Sequence, residues 1–464
     1  MAQAPSAELP RRFPLLVSPE NRDDTTNKDA KLINAYVETA GEEIHVYKRP
    51  GLSEASNLGG AGRGVYQWRG GLYAVNGTTF YKDGVSKGTV DGTNGVYRFS
   101  ENLGSTPKLQ LGNGVKAYNY DDTSGLVEIT DPDFPTSFVK GWAYLDGTTY
   151  VMTPSAAIQG SELNNTVDWD PLNVIIAQIE PDQGIALADQ LVYVIAFKQW
   201  STEVFYDAAN PTGSPLGTVQ GAKVNYGCIS SDSVRDMDGM LLWAATSQQA
   251  GVQILMMDNL KAQIVSTKPV ERLLQFATWT AGNVFSWVLK INGHRFYGLT
   301  LKANNLTLVY DIDDKRWAQW TDTNGNYFPV VDATTTTSFG HVMQHETDGK
   351  LYSVSSDNLL DGTGLISVDI YTPNFDGGTR RKKNMNFMEY IGDQVVGSEL
   401  FVRVNDYDYN PQRWTNFRKM DLSTQRAFLT NCGTFRRRAM HLRHRANTKF
   451  RIQAVEMQLD LGSL

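Results

Sequence analysis

The chain has 464 residues, 11% of them aromatic, with 41 Gly and 17 Pro, and carries a net charge of −7. Only two cysteines, Cys228 and Cys432, occur over this length, which excludes a disulfide-built secreted scaffold and fits folding in a reducing cytosol. No run approaches the roughly 18 apolar residues of a membrane span, and no charged-then-apolar leader opens the chain. The expectation is a protein neither exported by a signal peptide nor inserted in a membrane.

Residues 1–30 carry Pro5, Pro10, Pro14 and Pro19 in a polar, aperiodic stretch. They read as an extended arm, either disordered or ordered against a neighbouring subunit. Strands follow at 32–38 and 45–48, ending on Arg49-Pro50-Gly51. From about Gly64 to about Thr372 a pattern then repeats: an aromatic-rich strand, a tight turn with Gly, Asn or Asp, and a second aromatic-rich strand. Four copies turn at Asn76-Gly77, Asp146-Gly147, Asn292-Gly293 and Asp348-Gly349, pairs that accept positive φ at both central positions. Further copies lie at 108–118, 191–206 and 240–256, and the segment 307–320 has the look of the outer half of a kelch-type blade. The aromatics Tyr73, Tyr118, Tyr150, Tyr193, Trp243, Tyr297 and Tyr352 recur at intervals of 45, 32, 43, 50, 54 and 55 residues. A hairpin repeat of that length marks a β-propeller blade, so the expected fold is all-β, an irregular six- or seven-bladed propeller with an axial hole. One stretch breaks the rhythm: 268–276 places Pro269 in a first turn and apolar residues at helical spacing, predicting a short helix.

After about Asp376 the rhythm ends and a basic run begins at Arg380-Arg381-Lys382-Lys383. Strands are expected at 399–404 and 426–429, then a last hairpin out over 436–445 and back over 449–461, together a C-terminal antiparallel β-sandwich. The division is therefore 1–55 arm and first strands, 56–375 propeller, 376–464 basic sandwich. Charge follows it: residues 380–464 hold 16 Lys plus Arg against 8 Asp plus Glu, a net +8, while the rest holds 27 against 42, a net −15. Such asymmetry signals a partner, nucleic acid or an acidic protein surface.

Catalytic constellations fail on inspection. His341 and His345 sit four apart in a strand, which separates their side chains by about 13 Å, and His441 and His444 fall on opposite faces of another. The glycine-rich 60–64 lacks the Lys-Ser/Thr of a phosphate loop, and no Gly-x-Ser-x-Gly elbow occurs. Asp311, Asp313 and Asp314 fall in a turn, where Asp is expected for its backbone hydrogen bonds. Cys228 reads as packed. No enzyme, cofactor or metal is expected. What remains is the basic end, where Arg437, Arg443 and Arg445 share a strand face opposite Met440 and Leu442. They are candidates either for DNA phosphates in a channel or for the acidic body of a neighbouring subunit. Ring assembly, which needs complementary charge, favours the second.

Three groups of residues then carry a likeness that runs over nearly the whole chain. They are Ile33-Asn34-Ala35-Tyr36-Val37-Glu38 with Arg49-Pro50-Gly51-Leu52; Ser201-Thr202-Glu203-Val204-Phe205-Tyr206 followed by Tyr226-Gly227-Cys228 and the 240–245 strand; and Phe450-Arg451-Ile452 with Met457-Gln458-Leu459. In order and spacing the chain resembles the packaged-DNA stabilisation proteins of short-tailed bacteriophages, also called tail hub or nozzle proteins. The resemblance implies a structural virion protein made in the host bacterial cytoplasm. It would form a homo-hexameric ring below the portal and its adaptor ring, extending the channel for genomic double-stranded DNA and helping to retain that DNA. Tail fibres, a tailspike or a needle would be its other partners. The competing reading is a monomeric propeller that binds a glycan or receptor.

Overall fold

The structure, a computed structural model, describes residues 12–15, 30–41, 43–407, 410 and 412–462. Most of the stretch expected to be an N-terminal arm lies outside the described residues. The described part is all-β in class, strands joined by turns and loops, and its one α-helix runs over Lys268–Gln275 with Pro269 in the first turn and Val270 and Leu274 buried.

Six blades are made of consecutive antiparallel strands. Blade 1 spans 62–89, blade 2 98–128, blade 3 143–176, blade 4 184–218, blade 5 227–264 (its innermost strand split in two) and blade 6 284–319. A seventh is composite: 330–336, 340–345 and 350–355 are completed by Gly51–Asn57, a strand about 300 residues earlier in the chain, with Leu52 opposite Val354. Each neighbouring pair is glued by its own buried cluster. Tyr73 and Tyr120 join blades 1 and 2, Trp142 and Trp169 lie between 2 and 3, and Tyr150 and Leu187 join 3 and 4. Phe197 meets Trp243 between 4 and 5, Ala244 and Leu299 sit between 5 and 6, Trp287 and Met343 between 6 and 7, and Val342 and Leu72 between 7 and 1. The last contact closes the ring.

The hairpin turns come out in two ways. Leu145 pairs with Thr148 and Ile291 with His294, so Asp146-Gly147 (φ 46° and 88°) and Asn292-Gly293 (φ 55° and 83°) are both two-residue turns with positive φ throughout. In blade 1, by contrast, Asn76 pairs with Thr79, which puts Gly77-Thr78 at the centre, and Asp348-Gly349 belongs to a longer loop between 345 and 350.

Beside the propeller lies the sandwich, built from both ends of the chain. One sheet runs 35–40, 43–48, 451–461, 383–392, 428–430, with Arg12–Phe13 alongside 451–461. The other is a continuation of blade 6, whose outer strand 316–319 is followed by 31–33, 368–371, 439–444, 399–405 and 418–421. Phe13, Leu32, Val37, Ile370, Met388, Leu400, Met440, Leu442, Ile452 and Val455 fill the space between them. The final hairpin expected over 436–461 does not form. Ala439–His444 pairs with 368–371 and 399–405, whereas Arg451–Leu461 pairs in the opposite sheet. Both strands carry an apolar face, and each buries it against the other across the core rather than beside it.

A single junction ties sandwich, blade 6 and blade 7 together. Asn34, at φ 54°, is the point where the chain leaves one sheet of the sandwich and enters the other. Its side chain donates to Thr321 Oγ1 (2.7 Å) and Ser367 O (2.9 Å) and accepts from Thr321 N–H and Arg49 Nε. The guanidinium of Arg49, with its side chain fully buried, pairs with Asp361, donates to the carbonyls of Pro50 and Thr321, and lies 4.6 Å over the ring of Phe328. Gly51 is required beside it, because a Cβ there would sit 2.3 Å from Leu360 O and 2.7 Å from Asn358 O. Removing one partner of a buried ion pair costs about 3–5 kcal/mol. Arg49→Ala is expected to lose about that much, measured as a lower denaturation midpoint; a variant as stable as the parent would show that the junction does not hold the domains.

Candidate interface surfaces and the propeller axis

The axial hole expected of a propeller is crossed by side chains. Asp232, in the 3-10 turn Ser231–Ser233 that precedes the second piece of blade 5's inner strand, pairs with Lys140 (2.9 Å), from the segment entering blade 3, and with Arg98 of blade 2 (3.6 Å). Blades 2 and 5 are not neighbours, so this contact spans the centre. Arg235 of blade 5 pairs with Asp332 of blade 7 (3.0 Å) and donates to Ser286 O of blade 6, and Asp332 accepts the Val65 N–H of blade 1 (3.3 Å). Val96, from the segment entering blade 2, packs in the same way against Phe285 of blade 6 and Val331 of blade 7. Three cations thus share two carboxylates in a dry place. Burial, opposed by Asp232, lowers the pKa of Lys140, and burial together with Arg98 brings Arg235 down to about 10.

One mouth of the axis is acidic. Glu101, Asp189 and Asp236, on the inner strands of blades 2, 4 and 5, surround Tyr66. The two aspartates are open to solvent yet crowded by the walls; burial and the nearby Asp189 push Asp236 up to about 6. A plugged, acidic axis offers nothing to a polyanion.

The basic charge lies on the sandwich, and much of it is spent locally. Arg438 is buried and grips Asp406 with two bonds of 2.8 Å, Arg451 pairs with Asp393 (2.6 Å), and Arg426 pairs with Glu389 (2.5 Å). The three sequence candidates stand in different settings. Arg443 is half-buried, donates to Asp369 Oδ1 (2.6 Å) and lies 5.0 Å over Phe417. Arg437 is half-buried just before the strand, and Arg445 is exposed at the strand's end. Alternation along 439–444 places His441 beside Arg443. His441 Nδ1 accepts from Arg403 Nε (2.8 Å) while Nε2 donates to Asp369 Oδ1 (2.6 Å), which fixes a neutral ring. Burial lowers the pKa of His441. Burial also works against the Asp369 anion, but the bonds from His441 and Arg443 prevail and lower its pKa.

Sequence reading missed one cluster. His294, Asp311 and Asp314 each present a ligand atom within 4.8 Å of the others, a set able to hold a metal ion. Its geometry is that of a clamp: His294 Nδ1 lies 2.7 Å from Asp311 and 3.5 Å from Asp314, which in turn accepts the Thr39 N–H of the sandwich (3.1 Å). Burial opposes a charge on His294, but the Asp311 hydrogen bond and the fields of Asp311 and Asp314 outweigh it and raise its pKa above 6.5. The spacing of His294 and Asp311, on adjacent strands of one blade, was readable; that they face each other depends on the register. His341 bonds to Thr335 Oγ1, and His345 accepts from the Thr347 and Asp348 N–H groups, both local roles. Cys228 is buried beside Ser230 O, and burial raises its pKa to about 12. Glu203 of the Ser-Thr-Glu motif pairs with buried Lys198 (2.6 Å), and Thr202 bonds to Tyr226 O, tying blade 4 to blade 5.

These features define a β-propeller with an attached sandwich, in which the Asn34–Arg49 and Thr202–Glu203 motifs join blades and domains. Residues 24–338, more than half the chain, match the family described as Bacteriophage P22 Gp10, beta-propeller. The chain belongs to that phage tail stabilisation family, which points to a non-enzymatic structural role. No curated protein matches the sequence. Similar solved structures include the computationally designed Ika8 protein (12% identity, 65% of this chain and 98% of that one, TM-score 0.39). Others are the extracellular domain of the putative hybrid two component system BT4673 from B. thetaiotaomicron (9%, 76% and 44%, 0.44) and virginiamycin B lyase from Staphylococcus aureus (8%, 66% and 98%, 0.43). Likenesses this weak carry no argument. Among the described residues no helix is long and apolar enough to cross a membrane.

Two predictions follow from the charges. Asp232→Asn leaves Lys140 and Arg98 buried without their counter-ion and should cost about 3–5 kcal/mol; an unchanged denaturation midpoint would show that the axis is not held by charge. The His294 clamp, with its raised pKa, contributes fully below the ordinary histidine value of 6.5 and is lost as pH rises through the folded value. Stability of the parent should therefore fall with rising pH over that window, and His294→Asn should flatten the profile; parallel profiles would contradict the assignment.

Proposed function

We propose that this protein is the hub of a short phage tail, a homo-hexameric ring seated below the portal and its adaptor ring that extends the DNA channel and helps to retain and deliver the packaged genome. The observation that supports this reading is the closed axis: a propeller crossed by the Arg98–Asp232 and Lys140–Asp232 pairs leaves no path for DNA through itself, which is what a channel formed between copies calls for. Membership of the phage stabilisation family supports the same reading. The protein would be made in the host cytoplasm and act in the virion, with fibres, a tailspike or a needle attached to the ring.

The split charge supplies the cohesion, the exposed cations of the sandwich facing the acidic body of the next copy. Exposed pairs of that kind are screened within about 8–10 Å at 0.1–0.15 M salt. Among Arg437, Arg443 and Arg445, the exposed Arg445 is the foremost candidate for a subunit or phosphate contact, with Arg443 held behind it by Asp369. Contacts to phosphate would read no sequence.

Sedimentation tests the proposal. The protein should run near six times 51.6 kDa at low salt and dissociate as salt rises, whereas a glycan- or receptor-binding propeller would run near one. Replacing Arg437, Arg443 and Arg445 together by Gln should weaken the ring if they meet a neighbour, or lower genome retention with the ring intact if they meet DNA. A triple variant unchanged in both would remove these residues from function.

A further inference from the structure

One strand of the propeller is built unlike the others. The outer strands of blades 1, 2, 4, 5 and 6 have three to five residues, whereas that of blade 3, Asn165–Ile176, has 12. Its outer edge pairs with no strand among the described residues. A long free edge is a template for association, and natural proteins shorten, charge or bulge such edges. Here the N-terminal part is bulged, with register shifts against 159–162 and Pro171 beside them, but the C-terminal part pairs regularly, Val174 with Gln159 and Ile176 with Ala157. On this half the side that faces away from the blade's core is apolar and open: Leu172 is 73% exposed, Ile176 52%, and Val174 also lies in solvent. Leu163, 66% exposed, and the exposed Val167 and Ile179 belong to the same region of the chain. Apolar residues clustered in this way mark a protein-binding surface.

Charge decides the occupant. Residues 130–180 hold seven carboxylates against Lys140 alone, a net −6, and Lys140 is buried at the axis. Glu162 and Asp168 are exposed next to the apolar side chains. Two copies meeting edge to edge here would each bring this net-negative segment, a like-charge contact that opposes association. The same chain carries the complement in the exposed cations of its sandwich, among them Arg380, Arg381, Lys382, Arg436 and Arg445. We propose that the outer strand of blade 3 seats a second copy of this chain, which presents its basic sandwich head to tail. A head-to-tail contact uses two different surfaces and propagates until it closes into a ring. The inference rests on the ring reading above and names the surface through which the ring is held.

The test uses Leu172→Asp combined with Ile176→Asp in the full chain. Both residues are exposed, so the melting temperature should stay that of the parent while association, read by sedimentation velocity over a concentration series, weakens about tenfold or more. A second chain carrying Glu162→Arg and Asp168→Arg should also assemble poorly. Adding Arg436→Glu and Arg445→Glu to that chain should restore assembly, because each interface then regains opposite charges. If the parent runs as a monomer at every concentration, the ring reading itself falls and takes this interface with it. If the parent assembles and the Leu172/Ile176 variant assembles equally well, the interface alone is overturned. Failure of the compensating chain to reassemble would overturn the sandwich as the occupant.

Discussion

Everything in this molecule hangs on the junction at Asn34 and Arg49. The propeller can close only if Gly51–Asn57 lies beside 350–355, and the chain reaches that position only by leaving the sandwich at Arg49. One guanidinium, bonded to Asn34, Pro50, Thr321 and Asp361 and stacked on Phe328, therefore sets the position of the last blade, the outer strand of blade 6 and both sheets of the sandwich at once. A buried arginine is suited to this, since its planar fork offers five donors in fixed directions and stays charged. The consequence is a body in which sandwich and propeller share a continuous sheet.

The second constraint is electrostatic. The basic end is less available than its count of cations implies, because Arg438, Arg443, Arg451 and Arg426 each hold a carboxylate of their own domain. The axis is the reverse case, with Arg98, Lys140 and Arg235 drawn inward to hold blades that do not touch as neighbours. The exposed cations of the sandwich and the exposed apolar side chains on the outer strand of blade 3 are left at the surface.

Much of the fold was legible in the sequence because its information is local. The turns at Asp146-Gly147 and Asn292-Gly293, the Pro269 helix start and the repeat of aromatic strands each follow from a few adjacent residues. What escaped is long-range. The alternation in 439–444 and 451–461 says that each has one buried face and does not say which sheet it joins, so two strands facing each other across a core read as a hairpin. The completion of blade 7 by Gly51–Asn57 is invisible for the same reason. Buried arginines misled in another way: Arg49, Arg98 and Arg438 look like surface residues by composition, and only the neighbouring Pro50-Gly51 in the first case hinted at close packing. The motifs that carried the family likeness, around Asn34, Arg49 and Glu203, prove to be joints between blades and domains.

In the proposed hub, DNA passes between propellers and through none of them. Cryo-electron microscopy of the assembled phage tail tests this most directly. Several copies are expected around a central lumen that holds the DNA density, each propeller axis closed at the level of Asp232. DNA density threading a propeller's own axis, or a single copy per tail with no shared lumen, would contradict it.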